Sequence, residues 1–269
     1  MEEISNQKRI RLGHAERILK ELRPGEVVTS NWLGSRGLTS SNVHNLKTRG
    51  VLTSLGSGAY VRGDDIPLFS SAIEALVNQL QLPVHIGGSS ALSLQGVVQY
   101  LSLGAGQNIW LFSAGKLKLP TWFSRWIWDV KVELIQTNFL TPSSACQPRN
   151  IELDQFYIKV SSREQAILEA ILLIGKFHRF EEIDELFEGL TTLNPELLQK
   201  LLETCNSIRV CRIFLYLARK HNHPWAKMLK ESTINLGSGK RTVVKNGRLD
   251  TQYLITVPQD AENLNVSKF

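Results

Sequence analysis

Cysteine is scarce in this chain of 269 residues: Cys146, Cys205 and Cys211 form an odd set with no C-x-x-C spacing. A disulfide framework and a zinc ribbon are both excluded, and a reducing compartment is expected. Long apolar runs are also missing. The best stretch, Ala166 to Ile174, is broken by Glu169 and falls short of the ~18 residues a membrane span needs. The polar start, Met1 to Lys8, lacks the apolar centre of a secretory signal, so a soluble, cytoplasmic protein without membrane partners is expected. Nucleotide-binding glycine signatures are absent too. Gly87-Gly88-Ser89-Ser90 has neither G-x-G-x-x-G spacing nor a lysine. In Gly237-Ser238-Gly239-Lys240-Arg241, a P-loop is defeated by Ile234 in place of the first glycine and by Arg241 in place of Ser or Thr. The carboxylates Glu181, Glu182, Asp184, Glu185 and Glu188 have no histidine in register and read as a solvated helix face, while His221 and His223 read as a polar turn. No metal or other cofactor is expected, and no catalytic constellation emerges.

What is present is globular: 42% apolar and 21% charged residues, in a length that calls for more than one domain. The net charge of +6 is unevenly spread. Residues 1–63 hold 10 Lys/Arg and 5 Glu (+5), 64–160 hold 6 and 7 (−1), 161–204 hold 4 and 9 (−5), 205–248 hold 10 and 1 (+9), and 249–269 hold 1 and 3 (−2). Two basic segments thus flank a neutral and an acidic one, the pattern of two separate polyanion-facing surfaces.

In the first basic segment, Ala15, Ile18, Leu19 and Leu22 recur at helical spacing, predicting a helix from about Lys8 to Leu22 that ends at Pro24-Gly25. A short second helix carries Trp32 and Leu33 and closes at Gly37. A third runs from Thr39 or Ser40 to Arg49, with Gly50 as its C-terminal cap. At about 100° per residue, Val43 and Leu46 face inward and Ser41, Asn45 and Thr48 outward, with His44 beside them. That polar, non-acidic face suits base edges, and Lys47 and Arg49 suit phosphates at its flanks. Two β-prone runs around Gly56-Ser57-Gly58 then predict a hairpin ending at Arg62. Three helices and a hairpin are the order of a winged helix-turn-helix. The candidate DNA-binding residues are Ser40, Ser41, His44, Asn45, Lys47, Thr48, Arg49, Ser57 and Arg62.

Helical spacing returns at Ile73, Leu76, Val77 and Leu80. Pro83 to Leu94 reads as strand, glycine turn and helix, and strands are expected at Asn108 to Phe112, Trp126 to Ile135 and Phe156 to Val160. The tryptophans gathered here read as a mixed α/β core. A capping signal in Ser161-Ser162-Arg163-Glu164-Gln165 opens a largely apolar helix, and further helices follow over Phe180 to Leu190, from Asn194-Pro195, and over Asn206 to Lys220. On the last, Arg209, Arg212, Tyr216 and Arg219 form one stripe opposite Cys211, Phe214, Leu215 and Ala218. Asn246-Gly247 is expected to join Thr242-Val243-Val244 to a strand near Tyr253 to Val257, with Lys245 and Arg248 at the tip. The expected basic surface comprises Arg209, Arg212, Arg219, Lys227, Lys240, Arg241, Lys245 and Arg248. The fold class is α+β and multidomain: a winged helix-turn-helix over 1–63, a mixed α/β domain over 64–160, and a helical region with a β-hairpin over 161–269.

Several of these segments carry a family likeness. Gly58-Ala59-Tyr60-Val61-Arg62, Val84-His85-Ile86-Gly87-Gly88-Ser89-Ser90-Ala91-Leu92 and Leu94-Gln95-Gly96 resemble AbiEi-family antitoxins of type IV toxin-antitoxin systems. So do Glu188-Gly189-Leu190-Thr191-Thr192-Leu193, His223-Pro224-Trp225-Ala226-Lys227 and Leu236-Gly237-Ser238-Gly239-Lys240-Arg241. The resemblance implies a bacterial antitoxin that represses its own operon by binding promoter inverted repeats, with double-stranded operator DNA as partner. It also implies a C-terminal region opposing a nucleotidyltransferase toxin, usually without a stable complex. The recognition helix departs from the pattern, with Ser40, Ser41, Asn42 and Asn45 where more basic residues are expected. Two alternatives stay open: direct capture of a toxin by the acidic face Glu181 to Glu188, and a nucleic-acid-processing enzyme built on the middle segment.

Overall fold

The stripe Ala15, Ile18, Leu19 and Leu22 is buried in the computed structural model, which describes residues 13–97 and 106–259. Helix α1 is seen over 13–20; the part of it expected over 8–12 lies outside the described residues. Strand β1 (Val28–Thr29) leads directly into α2 (Ser30–Ser35), because the Thr29 hydroxyl accepts from Trp32 N and caps that helix. Helix α3 (Ser40–Thr48) opens on a reciprocal cap: Asn42 N donates to Thr39 Oγ1 at 3.3 Å and Thr39 N to Asn42 Oδ1 at 3.0 Å. It closes at Gly50, whose φ of +69° is a left-handed conformation that glycine adopts without strain. The hairpin of β2 (Leu52–Gly56) and β3 (Ala59–Arg62) completes a sheet of order β1-β3-β2, its turn made by Gly56 and Gly58 at positive φ. Leu33, Val43, Leu46 and Leu52 join the α1 stripe in one core. The winged-helix order read from the sequence is the observed one.

The described chain divides into two compact units, neither of them a continuous segment. One comprises 1–84, 117–129 and 150–159; the other comprises 85–116, 130–149 and 160–269. The stretch 64–160, expected to be a domain of its own, therefore contributes to both. In the first unit α4 (Phe69–Glu74) continues into a π turn (Ala75–Gln79). Arg23 binds it all together: Nη2 lies 2.6 Å from Glu74 Oε2, Nε 3.0 Å from Glu26 Oε2, and the guanidinium 3.9 Å above the Phe156 ring. Helix α6 (Thr121–Arg125) also belongs here. The strand expected to begin at Trp126 starts only at Lys131, because 126–130 are taken up by a turn in which Trp128 Nε1 donates to Phe123 O.

A five-stranded sheet has the order β6-β5-β4-β8-β7, from β4 (Val84–Ile86), β5 (Asn108–Ser113), β6 (Lys131–Gln136), β7 (Arg149–Leu153) and β8 (Phe156–Val160). The pairs β5/β6 and β4/β8 are parallel. In the second unit α5 (Gly88–Leu94) and α7 (Arg163–Leu172) pack together. Helix α7 is buried continuously from Glu164 to Ile171, as expected of a helix apolar on all sides, and Ser162 caps it. Its one central charge, Glu169, is 1% exposed and fully bonded. Oε1 accepts from His85 Nε2 (2.8 Å) and Gln165 Nε2 (2.7 Å), and Oε2 from Gly88 N (2.9 Å) and Ser161 Oγ (2.6 Å). Gly87 lies against this carboxylate so closely that a Cβ would collide with Glu169 Oε2 and Phe112 Cδ2. The glycine turn is thus a packing device, not a phosphate loop.

Helices α8 (Phe180–Glu188), α9 (Pro195–Glu203) and α10 (Ile208–His221) follow. Asp184 of α8 pairs with Lys220 and, at 2.8 Å, with His221 Nε2. Burial alone would raise its pKa, but the bonds from His221 and Lys220 outweigh burial and hold it below the ordinary value. A depressed carboxyl stabilises the fold above the unfolded-state pKa, and that contribution is lost as pH falls through the folded one. Asp184→Asn is expected to cost about 1–2 kcal/mol at neutral pH. Urea melts should show this difference hold down to about pH 5 and vanish well below the usual aspartate pKa of about 4. The C-terminal sheet has the order β10-β11-β9, from β9 (Arg241–Thr242), β10 (Arg248–Asp250) and β11 (Ile255–Val257). The hairpin is β10/β11, turning at 251–254, whereas β9 pairs with β11 in parallel. Asn246-Gly247 therefore does not make the expected tip, and Lys245 and Arg248 do not flank one.

Candidate nucleic-acid interface

Val43 and Leu46 anchor α3 in the core, so helical geometry fixes which of its residues face outward. Ser40, Ser41, His44, Asn45, Lys47, Thr48 and Arg49 are all exposed, as is Ser57 in the wing turn. The structure brings these eight predicted residues onto the surface of one winged helix. Beside α3 lies an open groove of about 540 Å³ lined by, among others, Ser30, Thr39, Ser40, His44, Lys47 and Tyr60, with no carboxylate among its lining residues. Lys47 Nζ is 6.0 Å from the Tyr60 ring centroid, and the Thr48 hydroxyl donates to His44 O. Arg49 keeps its charge at the surface, its nearest carboxylate being Glu16 at 3.9 Å.

Arg62 departs from expectation. Its Nη1 donates to Leu22 O at 3.1 Å and its Nη2 lies 3.5 Å from Asp65 Oδ2, so it locks the end of β3 onto the first helical segment. It is spent on the fold. Ser30 and Tyr60, by contrast, enter the groove without having been singled out. Their hydroxyls lie 3.4 Å apart, and the signal that would have found them is the pairing of β1 with β3, which places Ser30 one residue beyond the Thr29↔Ala59 pair.

The second basic segment is less exposed than its helical spacing predicts. Arg212 is 2% exposed. Its Nε donates to Leu236 O at 2.7 Å and its Nη1 to Gly239 O at 2.5 Å, so it organises the Gly237-Ser238-Gly239 loop from beneath. Burial and the nearby Arg241 lower its pKa. Tyr216, on the same stripe, is likewise buried. Arg209 is half-buried, donates to Ile174 O at 2.8 Å and has its pKa lowered by burial. Arg219 is exposed but pairs with Asp250 and Gln252. The stripe expected to face solvent is mostly a packing surface, because α10 is covered by α7, α8 and β11. Lys227, Lys240 and Lys245 remain exposed, with Arg241 and Arg248 half-buried.

His223 Nε2 donates to Phe187 O at 2.9 Å and its ring stacks on His221, placing both histidines in packing roles. Among the described residues no three His, Cys, Asp or Glu side chains are grouped to hold a metal ion, and no helix is long and apolar enough to cross a membrane.

The fold is similar to that in a crystal structure of the RV2827C protein from Mycobacterium tuberculosis, at a TM-score of 0.61 and 17% identity over 90% of this chain and 89% of that one. No curated protein sequence matches the chain. Residues 12–103 match the family model described as the N-terminal domain of the AbiEi antitoxin transcriptional regulator. Residues 106–258 match the model described as transcriptional regulator, AbiEi antitoxin, type IV toxin-antitoxin system. The chain belongs to the AbiEi antitoxin family of transcriptional regulators of type IV toxin-antitoxin systems.

Proposed function

We propose that the chain represses its own operon by binding inverted repeats in duplex promoter DNA, and that its C-terminal region counteracts a nucleotidyltransferase toxin. The observation that carries the first part is the outward face of α3: an uninterrupted run of exposed hydroxyl, amide, imidazole and cationic groups beside a groove free of carboxylates. Ser41, Asn45 and Thr48 read base edges in the major groove, and Lys47 and Arg49 hold the flanking phosphates. The second part draws on the exposed Lys227, Lys240 and Lys245, with Arg241 beside them.

The protein acts as a regulator without a chemical step of its own. Ser89 Oγ does lie 3.2 Å from His178 Nε2, and His178 Nδ1 lies 3.6 Å from Glu182 Oε2. But Trp110 Nε1 donates to the same serine oxygen at 2.9 Å, and Arg179 Nε takes the Glu182 carboxylate at 2.9 Å. These additional partners fit a structural role for the trio. Capture of a basic toxin by α8 is disfavoured by the same pairing of Glu182 and by that of Asp184.

The test uses the full-length chain with Ser41→Ala, Asn45→Ala and Thr48→Ala together. A promoter reporter should lose repression at least tenfold, since each good base contact is worth about 1–3 kcal/mol, while protection from the toxin persists. Undiminished repression would sink the DNA-reading role of α3, and loss of protection together with repression would contradict the division of labour.

A further inference from the structure

The wing of this winged helix has no cation to offer DNA. Between Val51 and Val61 there is no lysine or arginine, and Arg62, the first one after it, is occupied by Leu22 O and Asp65. A wing that lies along a DNA backbone needs positive charge at its flank, because phosphate neutralisation supplies most of the sequence-independent affinity.

The missing charge stands next to the wing, on a segment distant in sequence. Helix α6 packs on β2 of the wing, and the contact is close: a Cβ on Gly56 would sit 3.2 Å from Trp122 Cα. Glycine at the wing tip thus lets the backbones meet. The segment is anchored by buried aromatic rings. Trp122 and Phe123 are buried, the Phe123 ring lies 6.2 Å from Phe69 and 5.5 Å from Trp128, and the Ser124 hydroxyl donates to Pro120 O. On this fixed base Arg125 ends the helix and Lys118 precedes it. Both are exposed, and neither makes an ion pair or hydrogen bond among the described residues. Two unpaired cations on a braced element beside an uncharged wing are placed as a phosphate clamp is placed.

We infer that residues 117–129 extend the DNA-binding surface, with Lys118 and Arg125 supplying the backbone contacts that the wing lacks. The inference rests on the DNA-binding reading of α3, and it makes duplex DNA, gripped through its phosphates, the ligand of this insertion. Lys118 and Arg125 add affinity without adding sequence preference.

The experiment measures binding of the full-length chain to a duplex carrying the DNA immediately upstream of its own coding sequence, between about 50 and 200 mM salt, against a scrambled duplex of equal composition. Lys118→Ala with Arg125→Ala should make the slope of log K against log salt shallower by about 1.8 and weaken binding roughly 30-fold at about 0.15 M salt. The preference for the upstream duplex should stay unchanged, and so should the melting temperature, since both side chains are exposed. The charge-retaining pair Lys118→Arg with Arg125→Lys should keep the wild-type slope. An alanine pair with wild-type slope and affinity overturns the inference and leaves the α3 reading standing. A wild-type chain that binds neither duplex overturns both.

Discussion

Glu169→Ala is expected to destabilise the second unit by about 3–5 kcal/mol, enough to unfold a marginal protein. The carboxylate accepts four hydrogen bonds in the interior, from His85, Gln165, Gly88 N and Ser161. Removing it leaves four donors without that acceptor; Gly88 N, Ser161 and Gln165 are buried while the His85 side chain is 14% exposed, and a buried donor left unpaired costs more than its bond contributed. The cavity left by the side chain adds to the loss. Gly87→Ala should also be strongly destabilising, although its own backbone needs no glycine: the added methyl must push aside Glu169 and Phe112, both buried. Urea unfolding followed by circular dichroism measures both variants. A loss below about 1 kcal/mol for Glu169→Ala would show that the network is solvated rather than structural.

Arg212→Ala is expected to cost about 3–4 kcal/mol, from two short charge-assisted bonds and the packing of a long buried stem. Its consequence for function differs from that of an exposed arginine. Because Arg212 holds Leu236 O and Gly239 O, its loss releases the loop that presents Lys240 and Arg241. Protection from the toxin should fall in step with stability, and Arg212→Lys should not rescue it, since an ammonium lacks the planar fork that reaches both carbonyls. Lys240→Ala, by contrast, should leave stability within about 0.5 kcal/mol of wild type, as for other exposed positions, so any fall in protection it causes is a surface effect. A fully stable Arg212→Ala chain that has lost protection would return Arg212 to the role of a contact residue.

The pair Arg212 and Asn45 shows what was legible in the sequence. On α3 the inward direction is marked by two apolar residues, Val43 and Leu46, in an otherwise polar helix, so the outward face follows from 3.6 residues per turn. On α10 the same arithmetic places Arg209, Arg212 and Arg219 along one stripe, but periodicity reports only that the residues share a face, not that the face is free. There β11 and the 236–239 loop return from further along the chain to cover it. Arg62 differs for a similar reason: Asp65 is a near neighbour in sequence, but Leu22 O lies 40 residues back and meets Arg62 only in three dimensions. The Asn246-Gly247 signal is a true turn, with Asn246 at a φ of +56°, but the turn does not join adjacent strands, because β10 intervenes and leaves β9 and β11 parallel. The grouping of 117–129 with the winged helix rests on Gly56 meeting Trp122, a contact across some 60 residues that no local pattern announces.

Whether α3 reads duplex DNA is decided by the ratio of affinities for the upstream duplex and its scrambled counterpart at a fixed salt concentration of about 0.15 M. Wild-type chain should prefer the upstream duplex by about a thousandfold or more. The chain with Ser41, Asn45 and Thr48 replaced by alanine should keep the scrambled-duplex affinity set by its phosphate contacts and lose most of that preference. Equal preference in the two proteins would mean that the outward face of α3 does not read the sequence.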